Sequence, residues 1–450
     1  MSFEGQYTDA TDGIYSFCGT ISPTDLSFGA GSTGIGCVSG AFNQMAVTTA
    51  PSLVGDGSLG TTLQLTQGTF TPVPSAEDVT WKRVDLVFSA GVPYSDMSST
   101  LIPGPGGRQY TPAAGDVGHR IVASDTVFAD GFLGQSFSRE TQRVTIPGVS
   151  TSRIGGSDRY AASVGISTEE FPDANAGARV VYVASGANFP DALSAGPAAA
   201  KEGGPLLLTT PGQLPAAVSS EITRLHPDKV VVVGGPASVS PAVFDALNGL
   251  APTIRIGGAD RYAVSRALID YAFPDGAPSL YLVTGEKYPD ALSASGAAAS
   301  AGEPVLLTPG SRPTADQGTV SELRSLHVTH VTIAGGPGSV SQGLATTLGA
   351  GIDVTRASGS DRYAAAVSVS RSAFATAPKV FLVTGLNYPD GLSAGAAAGR
   401  EHSPLYLTDG TCVPQDVIKD IVSLHATSVV IVGGTGSVQT QVGDLYACSY

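Results

Sequence analysis

Charge is scarce in this chain. Asp, Glu, Lys and Arg make up 14% of its 450 residues, against roughly 25% in an ordinary globular protein, and lysine occurs only six times. The charge that is present runs acidic, at −14. It divides evenly, with 6 basic and 13 acidic side chains in residues 1–150 and 18 and 25 in residues 151–450. This balance argues against nucleic acid as a partner, because phosphate binding needs a basic footprint. It also leaves no broad basic cradle for another anionic polymer. No apolar run approaches the roughly 18 residues of a membrane span, so no transmembrane segment is expected. Catalytic signatures are missing too: there is no G-x-S-x-G elbow and no H-E-x-x-H. The sequence reads as a non-enzyme with no cofactor and no metal site.

Cysteine is limited to four, none in C-x-x-C spacing, which speaks against zinc. They fall in two pairs by position, Cys18 with Cys37 and Cys412 with Cys448. An even number, little lysine and many small polar residues suggest an oxidising compartment and two disulfides; the alternative is four buried thiols. The opening Met-Ser-Phe-Glu-Gly-Gln lacks the basic and apolar regions of a signal peptide, so a secreted protein would begin after a removed signal.

What the chain does have is repetition. Arg153-Ile-Gly-Gly-Ser-Asp-Arg-Tyr160 returns as Arg255-Ile-Gly-Gly-Ala-Asp-Arg-Tyr262 and Arg356-Ala-Ser-Gly-Ser-Asp-Arg-Tyr363. Phe189-Pro-Asp-Ala-Leu-Ser-Ala195 returns as Tyr288-Pro-Asp-Ala-Leu-Ser-Ala294 and Tyr388-Pro-Asp-Gly-Leu-Ser-Ala394. Val233-Gly-Gly-Pro236 returns as Ala334-Gly-Gly-Pro337 and Val432-Gly-Gly-Thr435. A period near a hundred residues exceeds the roughly 20–50 of solenoid repeats and suffices for a small domain with its own core. Such tandem arrays usually bind rather than catalyse.

One copy shows the expected architecture. Short apolar runs at Arg179–Ala184, Pro205–Thr209 and Lys229–Val233 alternate with helical segments. The helices run from Ser157 or Asp158 to about Glu170, from Pro190 to about Lys201, from Leu214 to about Leu225, and onward from Ser238-Val-Ser-Pro241. Thr253–Ile256 closes the unit as a strand leading into the next copy. Uniformly apolar strands between helices indicate a parallel sheet covered on both faces, a Rossmann-like α/β unit. The helices after Pro-Asp are nearly all small residues, which permits close approach of another backbone and predicts a packing interface within or between copies.

The candidate site follows from recurrence. Ser157, Asp158, Arg159 and Tyr160, with Asp260, Arg261 and Tyr262 and with Ser360, Asp361, Arg362 and Tyr363, stand beside helix starts that favour anions. Arginine also suits forked recognition of phosphate or carboxylate. A structural ion pair or helix cap explains the same pattern equally well. Asp191 and Ser194, Asp290 and Ser293, and Asp390 and Ser393 are the second set of candidate ligand contacts. His226, His327 and His425 recur at a helix end, where a cap or a C-terminal cation is expected.

Ahead of the repeats, residues 1–50 are Gly-, Ser- and Thr-rich and suggest a small β element. In residues 51–148 the β-rich runs Thr61–Thr66, Val79–Val87, His119–Ala123 and Gln142–Ile146, with Trp81 as core plug, predict an all-β sandwich. Tyr110-Thr-Pro-Ala-Ala-Gly-Asp-Val-Gly-His119 and Gly68-Thr-Phe-Thr-Pro72 resemble bacterial immunoglobulin-like surface modules.

The combination Gly-Gly-x-Asp-Arg-Tyr, Pro-Asp-Ala-Leu-Ser-Ala, Pro-x-Leu-Leu-Thr and Gly-Gly-x-x-x-Val-Ser resembles the cell wall-binding type 2 repeat family across 151–450. The resemblance implies noncovalent anchoring of a secreted or S-layer-type protein to the Gram-positive cell wall. It implies an anionic, teichoic-acid-like polymer as partner and three modules about a pseudo-threefold axis. The third copy departs from the pattern at Ala357-Ser358, Gly391 and Thr435. The expected layout is multidomain: 1–50; an immunoglobulin-like sandwich at 51–148, open to other surface proteins; and three α/β domains at 149–252, 253–353 and 354–450. The other reading is a secreted wall hydrolase, or its targeting portion, with catalysis in or beyond the N-terminal region.

Overall fold

The computed structural model describes residues 7–8, 15–20, 35–40, 43–85, 88–89, 92–93, 98–103, 107–173 and 178–448. The chain separates into two compact units, Met1–Val144 and Thr145–Tyr450. No helix among the described residues is long and apolar enough to cross a membrane.

Strands dominate the first unit. Its largest sheet is antiparallel, in the order Ser98–Leu101, Ala76–Asp85, Arg120–Phe128 and Gln135–Arg143. Arg120–Phe128 alternates buried and half-buried along its length, the period-two pattern of a strand with one face on a core. Ile121, Ala123 and Val127 are buried, as are Leu63, Leu65 and Trp81, and Val127 packs with Met45 and Phe70. The indole of Trp81 donates to the Gly107 carbonyl at 2.9 Å, satisfying its one polar atom inside the core. The last strand differs from expectation: it ends at Arg143 rather than spanning Gln142–Ile146. Val144 still donates to the His119 carbonyl, and the chain then leaves the sheet just before Pro147. Cys18 and Cys37 face each other in the register of Tyr15–Thr20 and Ile35–Gly40; their side chains, and so the expected first disulfide, lie outside the described residues.

The second unit repeats one α/β pattern three times. Its helices are α1 (Arg159–Glu170), α2 (Pro190–Lys201), α3 (Ala216–Leu225) and α4 (Pro241–Asn248) in the first copy. The second copy has α5 (Arg261–Ala272), α6 (Pro289–Ala301), α7 (Gln317–Ser325) and α8 (Gln342–Thr346). The third has α9 (Arg362–Ala373), α10 (Pro389–Arg400), α11 (Gln415–Ser423) and α12 (Thr440–Gly443). Each copy holds a four-stranded sheet with all-parallel pairings; the first runs Leu206–Thr209, Val180–Ser185, Lys229–Val233, Thr253–Ile256. Val180–Ser185 is buried at every position, as a sheet covered on both faces requires.

The fourth strand of each sheet is the one that opens the next copy. Thr253–Ile256 completes the first sheet and Asp353–Ala357 the second. The third sheet is completed by Ser150–Ile154, from the start of the array, paired in parallel with Ser428–Val432. The three copies thus close into a ring through their sheets.

The small-residue helices pack against one another at the junction of all three copies. α2, α6 and α10 are mutual neighbours. A Cβ on Gly399 would stand 2.0 Å from Ala299 Cβ, and one on Gly196 would stand 2.4 Å from Ser295 Oγ. Glycine costs a helix interior roughly 1 kcal/mol relative to alanine; here the contact distance demands it. The expected interface is therefore between copies. His226, His327 and His425 follow α3, α7 and α11 with φ of 46°, 56° and 57°, so they end these helices in the left-handed conformation usual for glycine or asparagine.

Candidate functional site

The opening phrase of each copy lies at a seam. Its first arginine reaches back across it: Arg255 Nη1 donates to the Gly234 carbonyl at 2.8 Å and Arg356 Nη1 to that of Gly335 at 2.7 Å. Arg153 donates to Gly433 and Val438 carbonyls at 2.8 Å and to Gln439 at 3.1 Å. These three arginines stand outside the site set read from sequence, although their recurrence in the same phrase was signal enough. The second glycine then turns tightly against the helix that follows. A Cβ there would meet the Ala162 amide at 2.3 Å in the first copy and the Val264 amide at 2.6 Å in the second.

Asp158, Asp260 and Asp361 are helix caps. Asp158 Oδ1 accepts from the amides of Tyr160 and Ala161 at 2.9 and 2.8 Å. Asp260 and Asp361 do the same in α5 and α9, satisfying donors that a helix start leaves unpaired. Ser157 and Ser360 are exposed beside them. Tyr160, Tyr262 and Tyr363 pack partly buried against the core.

The following arginine makes the same two contacts in every copy. Arg159 and Arg261 donate to the carbonyls of Gly186 and Gly285, both at 2.6 Å, and Arg362 donates to that of Gly385. Each guanidinium also lies over an aromatic ring of another copy: Arg159 over Tyr388 at 5.9 Å, Arg261 over Phe189 at 5.8 Å and Arg362 over Tyr288 at 6.0 Å. The three rings touch one another, with centroids 5.5–5.8 Å apart. They form a rosette of aromatic and cation–π contacts, each worth about 0.5–1 kcal/mol or more. Tyr388 Oη donates to the Ala187 carbonyl at 2.7 Å, tying the third copy to the first.

The second set separates. Asp191, Asp290 and Asp390 sit in the first turns of α2, α6 and α10. Burial raises each carboxyl above its ordinary pKa, opposed by a hydrogen bond from Ser238, Ser339 or Ser437 and by the nearby arginine of another copy, with Lys287 acting ahead of the arginine at Asp290. Ser437 Oγ donates to Asp390 Oδ2 at 2.9 Å. Ser194, Ser293 and Ser393 instead point into the helix interface and are 2–4% exposed. Ser194 Oγ bonds Ser265 Oγ at 2.9 Å. About one helical turn separates the aspartates, held beside a serine of the Gly-Gly turn, from the serines that face the neighbouring helix.

At the seam between the second and third copies the two phrases frame a cleft of ≈ 390 Å³, lined among others by Lys287, Asp290, Ser339, Ser360, Asp361 and Arg362. Cys412 and Cys448 form a disulfide, with Cα atoms 5.0 Å apart. α12 ends at Gly443, so Cys448 lies beyond the last helix. Residues 446–448 run beside Val413, which exchanges backbone hydrogen bonds with Tyr446 and Cys448. Among the described residues no group of three or more His, Cys, Asp or Glu side chains could hold a metal.

The model of the family described as cell wall binding domain 2 (CWB2) matches residues 153–244, 255–345 and 356–443. The N-acetylmuramoyl-L-alanine amidase LytC of Bacillus subtilis (strain 168) is 29% identical over 297 residues, 66% of this chain and 58% of that protein. The amidase enhancer of the same organism is 28% identical over 298 residues, 66% of this chain and 40% of its own length. The chain therefore matches only about half the length of these curated relatives. Among solved structures, Cwp6 from Clostridium difficile aligns with a TM-score of 0.60 at 18% identity, over 90% of this chain and 69% of that one. Cwp8 from the same organism aligns at 0.58 and 20% identity, over 82% and 63%. At these identities the structures speak for the fold alone.

Proposed function

This chain belongs to the cell wall binding domain 2 family, and on that premise we propose that it anchors a secreted or S-layer-type protein noncovalently to the Gram-positive cell wall. The ligand is an anionic, teichoic-acid-like secondary polymer. Three Rossmann-like domains, 149–252, 253–353 and 354–450, hold it about a pseudo-threefold axis. The polymer lies along the seams between copies, and Ser157, Asp158, Arg159 and Tyr160 with their counterparts form or brace its sites. Residues 51–148 are an immunoglobulin-like part displayed outward, available to other surface proteins.

The observation that carries this reading is the cleft where the Pro-Asp helix of one copy meets the Gly-Gly-x-Asp-Arg turn of the next. An acidic protein that binds a polyanion has to use such local donors, because its net field repels the ligand. Arg159, Arg261 and Arg362 are held to carbonyls and rings, so in this reading they shape the seams, and the turns between them meet the polymer.

Co-sedimentation with purified Gram-positive walls tests the proposal. The full chain is expected to pellet with intact walls and to stay in solution with walls stripped of phosphodiester polymer by hydrofluoric acid. Equal binding to both would overturn the ligand assignment. The kinship with an amidase keeps a wall-hydrolase reading in view, and a cleared band in a peptidoglycan zymogram would establish it.

A further inference from the structure

The three seams share one design, but only one has charged side chains in its loop, Lys287 with Glu286, whose carboxylate accepts from Ser311 Oγ at 2.7 Å. The loop ahead of each Pro-Asp helix reads Ala187-Asn188, Glu286-Lys287 and Leu386-Asn387. The residue ahead of each capping aspartate is Ser157, Ala259 or Ser360. The seam between the first and second copies thus combines Asn188 with Ala259, and the ring-closing seam combines Asn387 with Ser157. The seam between the second and third has both Lys287 and Ser360.

In that cleft the other charged groups are already engaged. Asp361 caps α9 through two backbone amides. Arg362 donates to the Gly385 carbonyl and covers the Tyr288 ring. Asp290 is 9% exposed and takes a hydrogen bond from Ser339. Lys287 is exposed, and its one hydrogen bond is a long one, 3.4 Å from Nζ to the Gly338 carbonyl at the cleft's edge. Its ammonium acts on the buried Asp290 carboxylate from beyond ion-pair distance, and among the described residues no carboxylate closes a salt bridge with it. A lysine so placed keeps its charge available to whatever enters the cleft, and four rotatable bonds let it follow a flexible chain.

We propose that Lys287 makes the cleft between the second and third copies the charge-reading subsite of the array, taking a backbone phosphate of the polymer. The other two seams meet the same polymer through neutral donors. This rests on the reading that the array binds wall polymer along its seams, and it goes further in ranking them. One phosphate contact of this kind releases about one counterion, so it should contribute about one to the slope of log affinity against log salt.

The test uses the full chain with intact walls and with hydrofluoric acid-treated walls, across a series of NaCl concentrations. Lys287→Asn, which copies the other two seams, is expected to weaken binding to intact walls about tenfold at low salt and to lower the salt slope by about one. Adding Asn387→Lys to that variant should recover part of both at the ring-closing seam. Unchanged melting temperatures show that the variants are folded, as expected for exposed side chains. Wild-type affinity and slope in Lys287→Asn overturn the inference while leaving wall binding intact, and so does weaker binding with an unchanged slope. Equal binding of the wild type to both kinds of wall overturns the polymer reading itself, whatever Lys287 does.

Discussion

Glu170 occupies the place where the other copies carry Ala272 and Ala373. It ends α1 at the ring-closing seam, 3.5 Å from Arg400 of α10, with its side chain 3% exposed. Arg400 also lies 4.0 Å from the centre of the Phe171 ring. Burial pushes the Glu170 carboxyl up to about 8, against the pull of Arg400. The sign follows from proton counting: between its ordinary value of 4.5 and about 8 the unfolded chain releases this proton while the folded chain keeps it. Stability is therefore highest below the unfolded value and falls as pH rises through that window. Glu170→Gln should match the wild type near pH 4.5 and exceed it near pH 8, by up to roughly 4 kcal/mol at about 1.4 kcal/mol per pKa unit. Paired thermal melts across the window check this; a difference that does not grow with pH refutes it. A second residue-scale prediction concerns Arg159, Arg261 and Arg362. Replacing all three by lysine keeps charge but loses the planar group that lies over the aromatic rings, so the melting temperature should fall. If wall binding is lost while the melting temperature holds, their role is contact with ligand instead.

At the scale of elements, the central helices show how far a low-bulk sequence can be decisive. Ala298 of α6 is fully buried, and Gly399 of α10 stands against Ala299. A larger side chain has to push two copies apart. Ala298→Leu should destabilise the array by roughly 1–3 kcal/mol or more, the usual cost of overpacking, whereas the same change at the exposed Ala237 should be nearly silent. Chemical denaturation of the two variants separates these outcomes; equal stability would mean the helices are not in contact in solution. The helix starts were open to reading because capping is local. Asp158 was one of two candidate caps, and its amide contacts decide between them.

At the scale of the whole array, the ring has one seam unlike the others. Between the first and second copies, and between the second and third, the chain itself crosses the seam. The third sheet is closed by Ser150–Ile154, whose Arg153 lies 280 residues before Gly433. Reinforcement gathers there: Arg153 takes three carbonyls where Arg255 and Arg356 take one each, and the Glu170–Arg400 pair spans the same seam. The Cys412–Cys448 bridge ties the segment after α12 to the third copy. Closing a loop with a sequence separation of 36 stabilises by about 3–4 kcal/mol on a chain-entropy estimate. Because the copies share sheets and helices, reduction should lower the melting temperature of the array by several degrees while leaving it a single transition. Calorimetry with and without reductant measures this, and three separately melting copies would refute the shared core.

The period, the alternation of strand and helix and the apolar strand at Lys229–Val233 were all legible in the sequence alone. Each depends on residues close together in the chain, where hydrophobic spacing and capping act directly. The strand at Thr253–Ile256 was legible as well, together with its place between two copies. Which sheet receives Ser150–Ile154, which copy supplies the ring beneath Arg159, and whether Ser194 faces ligand or helix were decided only by the tertiary structure. Those outcomes depend on groups far apart in the chain and brought together by closing the ring; no local pattern records such pairings. The same limit separates Asp290 from Ser293: three residues apart on one helix, they meet different surroundings once a second helix packs against the first.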